Sequence, residues 1–420
     1  MYLCKHINSD MKQIKLTAPT ETIKAVITLP SSKSICNRAL IVHALSGGQD
    51  SIGNLSDCDD TLVMMRALQD MPEVIDIQAA GTAMRFLTAY LSVTQGEHTL
   101  TGTERMKQRP IRILVDALRS LGANISYTER EGFPPLHITG KRLTKSDVSL
   151  PGNISSQYIS ALLLIAPMLE NGLRLTLTGE IVSRPYIQLT LQLMKEFGAE
   201  ATWTADNQLE VKAQPYHSIP FRVESDWSAA SYWYEIVALS TNAVVTLPVL
   251  YNPSFQGDAK VAQLFEGLGV KTTYSSEGVI LERIERTFKQ FNYNFVNQPD
   301  LAQTFVVTCA MLDVPFHFTG LQSLKIKETD RIAALITEMK KLGYLLTEAN
   351  DSELFWNGER CPAEIQPAID TYEDHRMAMS FAPAVLRIKE LRINNPHVVS
   401  KSYPHYWENL THAGFGMEEE

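Results

Sequence analysis

The sequence predicts a two-domain α/β protein, with helices packed against sheets in six repeated units, three to a domain. Three features of the chain carry that prediction. At 420 residues it exceeds one ordinary core, so two domains of roughly 200 residues each are expected. Four amphipathic runs close on glycine at a near-constant interval, with Gly122, Gly198, Gly269 and Gly343 being 76, 71 and 74 residues apart. A second set of helix starts interleaves with these, near Ser34, Thr82, Ser155, Ser228, Leu301 and Arg376, at steps of 48, 73, 73, 73 and 75. Self-similarity at a fixed period marks a supersecondary unit used repeatedly, here two helices and several short strands packed as an α/β layer.

Each member of the first set is an extended run ending near Gly, a polar loop, then about a dozen amphipathic residues. One runs from Leu100-Thr101-Gly102 through Arg109-Pro110 to Leu121-Gly122, and the next from Leu177-Thr178-Gly179 through Arg184-Pro185 to Phe197-Gly198. The third starts at Gln256-Gly257-Asp258 and ends at Leu268-Gly269; the fourth goes from Phe318-Thr319-Gly320 through Asp330-Arg331 to Leu342-Gly343. Pro110 and Pro185 suit the first helical position, and the closing glycines suit the left-handed position after a helix. In the fourth run Thr329 is the expected N-cap, with Asp330 favoured by the positive end of the helix.

A hydrophobic fraction of 45% with 20% charged residues describes an ordered globular protein, and the net charge of −9 argues against a nucleic-acid or membrane-surface partner. The five cysteines, Cys4, Cys36, Cys58, Cys309 and Cys361, are scattered and never in C-x-x-C spacing. They read as free thiols in a reducing cytoplasm, without a disulfide framework or zinc. Met1 to Lys15 lacks the apolar core of a signal peptide, and Ile159 to Leu169 is too short to span a bilayer. No Walker loop, complete G-x-G-x-x-G or H-E-x-x-H occurs, so neither a nucleotide cofactor nor a metal is implied.

Candidate chemistry lies in the loops ahead of the helices. Ser31-Ser32-Lys33-Ser34, followed by Arg38, offers hydroxyl and backbone donors with two cations, which suits phosphate or carboxylate better than a plain serine cap. Gly81 allows a ligand close to the backbone, Thr82 is expected to cap the next helix, and Arg109 can clamp a carboxylate. Ser155-Ser156-Gln157 and Ser183-Arg184 repeat the hydroxyl-rich start, although serine is also the commonest cap. Asp226 and Asp300 occupy matching places as caps or proton acceptors. Lys327-Glu328-Thr329-Asp330-Arg331 reads either as a salt-bridged helix start or as an anion site with a built-in acid; Arg376 and Lys401 add further cations. If these ends converge, they form a cationic pocket for one or two small polyanions.

These segments resemble the enolpyruvyl transferase family over essentially the whole chain. The resemblance rests on Ser32-Lys33-Ser34 with Asn37-Arg38, Gly81-Thr82-Ala83-Met84-Arg85, Arg109-Pro110, Ser155-Ser156-Gln157, Lys327-Glu328-Thr329-Asp330-Arg331, Asp374-His375-Arg376-Met377-Ala378-Met379 and Lys401-Ser402-Tyr403-Pro404. It implies an inside-out α/β barrel of six βαβαββ-like repeats. Residues 1–28 with 226–420 would form a domain holding both termini and residues 29–225 the middle domain, with the active site in the cleft between them. Within the family the motifs are most similar to the branch that transfers enolpyruvate from phosphoenolpyruvate to shikimate 3-phosphate, a target of glyphosate. That implies a monomer acting on small molecules without cofactor or metal.

By the same resemblance, shikimate 3-phosphate would meet Lys33, Ser34, Arg38, Ser155, Ser156, Ser183, Asp300 and Lys327. Phosphoenolpyruvate would meet Lys33, Gly81, Gln157, Arg109, Arg331, Arg376 and Lys401. Asp300 would accept the hydroxyl proton, Glu328 would protonate the methylene carbon, and Lys33 and Lys327 would stabilise developing charge. The chain departs from the family at Ala79 and Ser323, where Asn is common, and at Ser31, where Gly is usual. The sister enzyme acting on UDP-N-acetylglucosamine commonly has a Cys before its loop arginine, whereas Thr101 to Pro110 has none; a non-catalytic anion-binding protein on the same fold is the third reading.

Overall fold

The computed structural model describes residues 12–420, so Cys4 and most of the N-terminal stretch read for a signal peptide lie outside the described residues. The chain divides into two compact units. One takes the described residues up to Pro30 together with Ser225–Glu420, and the other is Ser31–Glu224.

The unit Ser31–Glu224 contains helices Lys33–Leu45 (α1), Asp59–Asp70 (α2), Gly81–Val93 (α3), Glu104–Lys107 (α4), Arg112–Ser120 (α5), Ser156–Ile165 (α6) and Arg184–Glu196 (α7). In one sheet Val74–Asp76 runs parallel to Glu97–Thr101, which pairs antiparallel with Leu136–Thr139 and that in turn with Asn124–Tyr127. A second sheet repeats the pattern with Asp147–Pro151, Leu173–Thr178, Gln208–Val211 and Ala201–Ala205. The other unit adds helices Trp227–Leu239 (α8), Val261–Glu266 (α9), Ala302–Met311 (α10), Arg331–Lys341 (α11), His375–Phe381 (α12) and Tyr406–His412 (α13). Its three four-stranded sheets have the same one-parallel, two-antiparallel order, and the last inserts Gln13–Thr17 between Glu390–Asn394 and Gly416–Glu419. Five units therefore carry a full four-stranded sheet. The sixth is reduced to the parallel pair Phe221–Arg222 and Ile52–Gly53, which accounts for the one short repeat interval.

The two families of helix starts separate by burial. The interleaved set corresponds to α1, α3, α6, α8, α10 and α12; in α3, α10 and α12 almost every side chain is buried, as in a helix enclosed on all sides. The glycine-closed runs are α5, α7, α9 and α11, which retain polar faces. Each unit has its own apolar core, around Phe86, Leu162 and Phe197 in one and around Trp233, Phe305 and Trp407 in the other.

Several end signals differ from expectation. Asp330, not Thr329, caps α11, accepting 3.1 Å bonds from the N–H groups of Ile332 and Ala333, because the carboxylate one residue nearer the helix reaches both free donors. Ala80 precedes α3 and Thr82 lies inside it. Pro110 stands before the N-cap residue Ile111, while Pro185 does occupy the first turn of α7. Gly122, Gly198 and Gly343 take the left-handed backbone directly after their C-caps, whereas α9 stops at Glu266 and Gly269 falls beyond its C-cap Gly267.

Candidate active site

The predicted site residues form a cluster in each unit. In the unit Ser31–Glu224, the small residues at the start of α1 let Lys33 and Ser34 occupy its first turn, and Lys33 pairs at 3.3 Å with the buried Asp60 of α2. Arg38, one turn on, is 2% exposed. Its guanidinium donates to Thr190 Oγ1 of α7 at 2.7 Å, to Ser160 Oγ of α6 at 3.1 Å and to the Ser34 carbonyl at 2.8 Å. Burial pulls Arg38 down to about 10, and among the described residues no carboxylate pairs with it.

Gly81 opens α3 with its carbonyl accepting from Arg85 at 2.9 Å. A Cβ there would stand 2.7 Å from Arg109 Nη1, so Arg109, in the loop between α4 and α5, rests against the glycine. Gln157 reaches the same corner, donating to Thr82 Oγ1 at 3.0 Å. Ser155 caps α6 and Ser156 begins it. Ser183 caps α7 with a left-handed φ of 56°, and Val182 N–H bonds to the Gly152 carbonyl at 3.1 Å, tying the two serine loops together.

In the other unit, all six predicted residues join one ion network centred on Arg331, which is 1% exposed. Its guanidinium donates to Asp374 at 2.6 and 3.3 Å, to Glu328 at 3.0 Å and to Asp300 at 3.3 Å. Lys401 Nζ holds the other Glu328 oxygen at 2.8 Å, Arg376 holds the other Asp300 oxygen at 2.8 Å, and Lys327 stands 3.6 Å from Asp300. Burial opposes charge on Arg331, but Asp374, Glu328 and Asp300 more than offset it and raise its pKa. Lys327 goes the other way, lowered by burial against the pull of Asp300. Arg376 also donates to Tyr232 OH at 3.3 Å.

A cluster of carboxylates and cations bound to one another can exchange partners with an incoming anion and move protons while doing so. Sequence reasoning did not place Asp374 as the main partner of Arg331, nor Asp60 as the partner of Lys33. The signal for Asp374 was its place beside His375-Arg376; for Asp60 it was only an acidic helix start. Among the described residues there is no group of three or more His, Cys, Asp or Glu that could hold a metal, and no helix long and apolar enough to cross a membrane.

Comparison with known proteins places the chain in a family. The family model EPSP synthase (3-phosphoshikimate 1-carboxyvinyltransferase) matches residues 17–75 and 69–410. The chain is 64% identical over 403 residues to a 3-phosphoshikimate 1-carboxyvinyltransferase of Bacteroides fragilis, covering 96% of this chain and 98% of that one. It is 36% identical over 420 residues to the protein of that name from Vibrio cholerae, covering 93% and 97%. Among solved structures, EPSP synthase from Acinetobacter baumannii superposes with a TM-score of 0.76 at 22% identity, covering 97% of this chain and all of that one. The enolpyruvyl transferase NikO from Streptomyces tendae gives 0.74 at 13%, covering 98% and 99%. These two likenesses show the fold, and the matched family model with the 64% relative show that this chain belongs to the EPSP synthase (3-phosphoshikimate 1-carboxyvinyltransferase) family.

Proposed function

We infer that the chain transfers the enolpyruvyl group of phosphoenolpyruvate to the 5-hydroxyl of shikimate 3-phosphate, releasing phosphate, and that residues of both units serve this one reaction. The observation that carries the reading is the pair Asp300 and Glu328, two carboxylates bound to the same buried guanidinium. In the addition step the hydroxyl oxygen bonds to C2 of phosphoenolpyruvate, Asp300 takes the hydroxyl proton, and Glu328 gives a proton to C3. Elimination then breaks the C2–O bond to phosphate as C3 returns its proton to Glu328 and the departing phosphate recovers the one on Asp300. Both carboxylates end as they began.

The ion network supplies a reason for Glu328 to act as an acid. While it is held by Arg331 and Lys401 its charged form is favoured, but a substrate anion that takes over those cations leaves it beside negative charge, which raises its affinity for a proton. Lys33, Ser34, Arg38, Ser155, Ser156 and Ser183, with Asp300 and Lys327, are proposed to hold shikimate 3-phosphate. Arg109, Arg331, Arg376, Lys401, Lys33, Gln157 and the Gly81 backbone are proposed to hold phosphoenolpyruvate. Lys33 and Lys327 would also stabilise the charge that develops. Cys36, Cys58, Cys309 and Cys361 are in no disulfide, which supports a reducing cytoplasm, where we place the enzyme as a monomer.

The test is phosphate release by the purified protein with phosphoenolpyruvate and shikimate 3-phosphate, run beside UDP-N-acetylglucosamine. Release with shikimate 3-phosphate alone is expected. Release only with the sugar nucleotide would move the activity to the sister reaction, and release with neither would overturn the transferase reading.

A further inference from the structure

Asp258 is a buried carboxylate with no part in the ion network described above. It is 3% exposed and sits in the 3-10 turn Gly257–Lys260. That turn is pinned at its start: Gln256 accepts from Trp227 N–H at 3.0 Å and donates to the Ser225 carbonyl at 2.8 Å. On its other side Gln298, two residues before Asp300, donates to the Gly257 carbonyl at 3.5 Å and accepts from Tyr293 OH at 2.9 Å. Asp258 is thus held between the start of α8 and the turn that carries Asp300.

Its two oxygens are unequally satisfied. Oδ2 is hydrogen-bonded to Ser228 Oγ, while Oδ1 is buried without any hydrogen-bond partner. An ionised carboxylate in that setting would keep full charge on an oxygen that nothing solvates, whereas a neutral acid loses far less. The ionisable groups around it are Asp300, Arg376 and Asp226, with Tyr293 on the neighbouring strand; Lys260 of its own turn is exposed and bonded to Gln263. Burial first and Asp300 second push the Asp258 carboxyl up to about 7, against weaker opposing pulls from Ser228 and Arg376.

We propose that Asp258 is a positioning residue for phosphoenolpyruvate: it carries a proton while the substrate binds, which leaves Arg376 to Asp300 and the substrate anion instead of to a second buried carboxylate. The proposal rests on the reading of Asp300 and Arg376 as substrate-site residues. Once Asp258 ionises, it adds negative charge next to Arg376 and weakens the attraction for an incoming anion.

Two measurements on D258N, which fixes the neutral state at nearly the same shape, test this. In the first, thermal midpoints of wild type and D258N are compared from about pH 5 to about pH 8. The folded-state affinity for a proton exceeds that of an unfolded aspartate, so the wild type binds more protons folded than unfolded and loses stability as pH rises over this window. D258N should gain on it steadily, and a constant gap overturns the protonated state. In the second, KM for phosphoenolpyruvate is measured over the same range. The wild-type value should rise about tenfold more than that of D258N, a size expected of one charge coupled to a neighbouring site; the substrate's own ionisation is common to both proteins. Parallel KM profiles would overturn the positioning role even if the midpoints diverge. Failure of the transferase reading shows separately, as wild-type protein that releases no phosphate, and leaves the midpoint comparison to decide the protonation state.

Discussion

Arg38 and Arg331 are both buried guanidinium groups, 2% and 1% exposed, and the protein accommodates them by opposite means. Arg38 is held by two hydroxyls, a carbonyl and the face of Phe86, with its ring centroid 5.3 Å away. Arg331 is held by three carboxylates. The first arrangement leaves a buried positive charge with no carboxylate paired to it among the described residues. The second is already balanced, so a ligand must displace a carboxylate, and a displaced carboxylate changes its affinity for a proton. On the function proposed above, the first setting suits holding a phosphate and the second suits proton transfer.

The sharpest way to break that division is Glu328→Gln. The amide keeps the shape but has a single acceptor oxygen, so it accepts from Arg331 or from Lys401 and not from both as the carboxylate does, and it cannot deliver a proton. Turnover should fall about 10²–10⁴-fold, the usual contribution of a positioned acid or base, while calorimetric binding of shikimate 3-phosphate should stay within about twofold of wild type. Unchanged turnover would remove Glu328 from the proton-donor role and with it the contrast between the units.

The same substitution made in both units should have different costs. Arg331→Met leaves Asp374, which is fully buried, without its main cation and Glu328 with Lys401 alone, so the unfolding free energy in denaturant should fall by about 3–5 kcal/mol. In Arg38→Met, Thr190 and Ser160 keep their mutual 2.8 Å hydrogen bond and Thr190 keeps its bond to the Tyr186 carbonyl. No charge is stranded, and stability should change by no more than ~1 kcal/mol. Binding of shikimate 3-phosphate should nevertheless weaken by about 10–100-fold, the worth of one or two charged hydrogen bonds. Equal destabilisation by the two changes would show that the arginines are not held differently.

Much of the fold was legible because its signals are local. The starts of the six buried helices were read at Ser34, Thr82, Ser155, Ser228, Leu301 and Arg376, each within one residue of the observed start, since an apolar run following a short polar loop can be read from neighbours alone. Thr329 against Asp330 shows the limit of that reading: either can cap, and only the geometry of the turn selects one. The pairings were beyond local pattern. Asp374 reaches Arg331 across 43 residues, and nothing near Lys33 identifies Asp60 as its partner. Asp258 was read only as part of a helix start, because its significance comes from burial and from Asp300, both properties of the folded chain.

The smallest expected effect lies where the unit Ser31–Glu224 bears on phosphoenolpyruvate. Gly81 has an ordinary backbone and opens α3, so Gly81→Ala should not strain the chain; alanine favours a helix over glycine by about 0.5–1 kcal/mol. The added Cβ would stand 2.7 Å from Arg109 Nη1 and 3.1 Å from Arg85 Nη1. Both are ends of flexible side chains, and the guanidinium groups will yield before the helix does. The thermal midpoint should therefore hold or rise slightly, while KM for phosphoenolpyruvate increases about tenfold, or ~1.4 kcal/mol. Affinity for shikimate 3-phosphate should hold, because Arg38, Thr190 and Ser160 do not depend on Gly81. If both substrates weaken together, the hydroxyl-held arginine and the glycine corner are one site, and the division of labour within this unit is coarser than its geometry suggests.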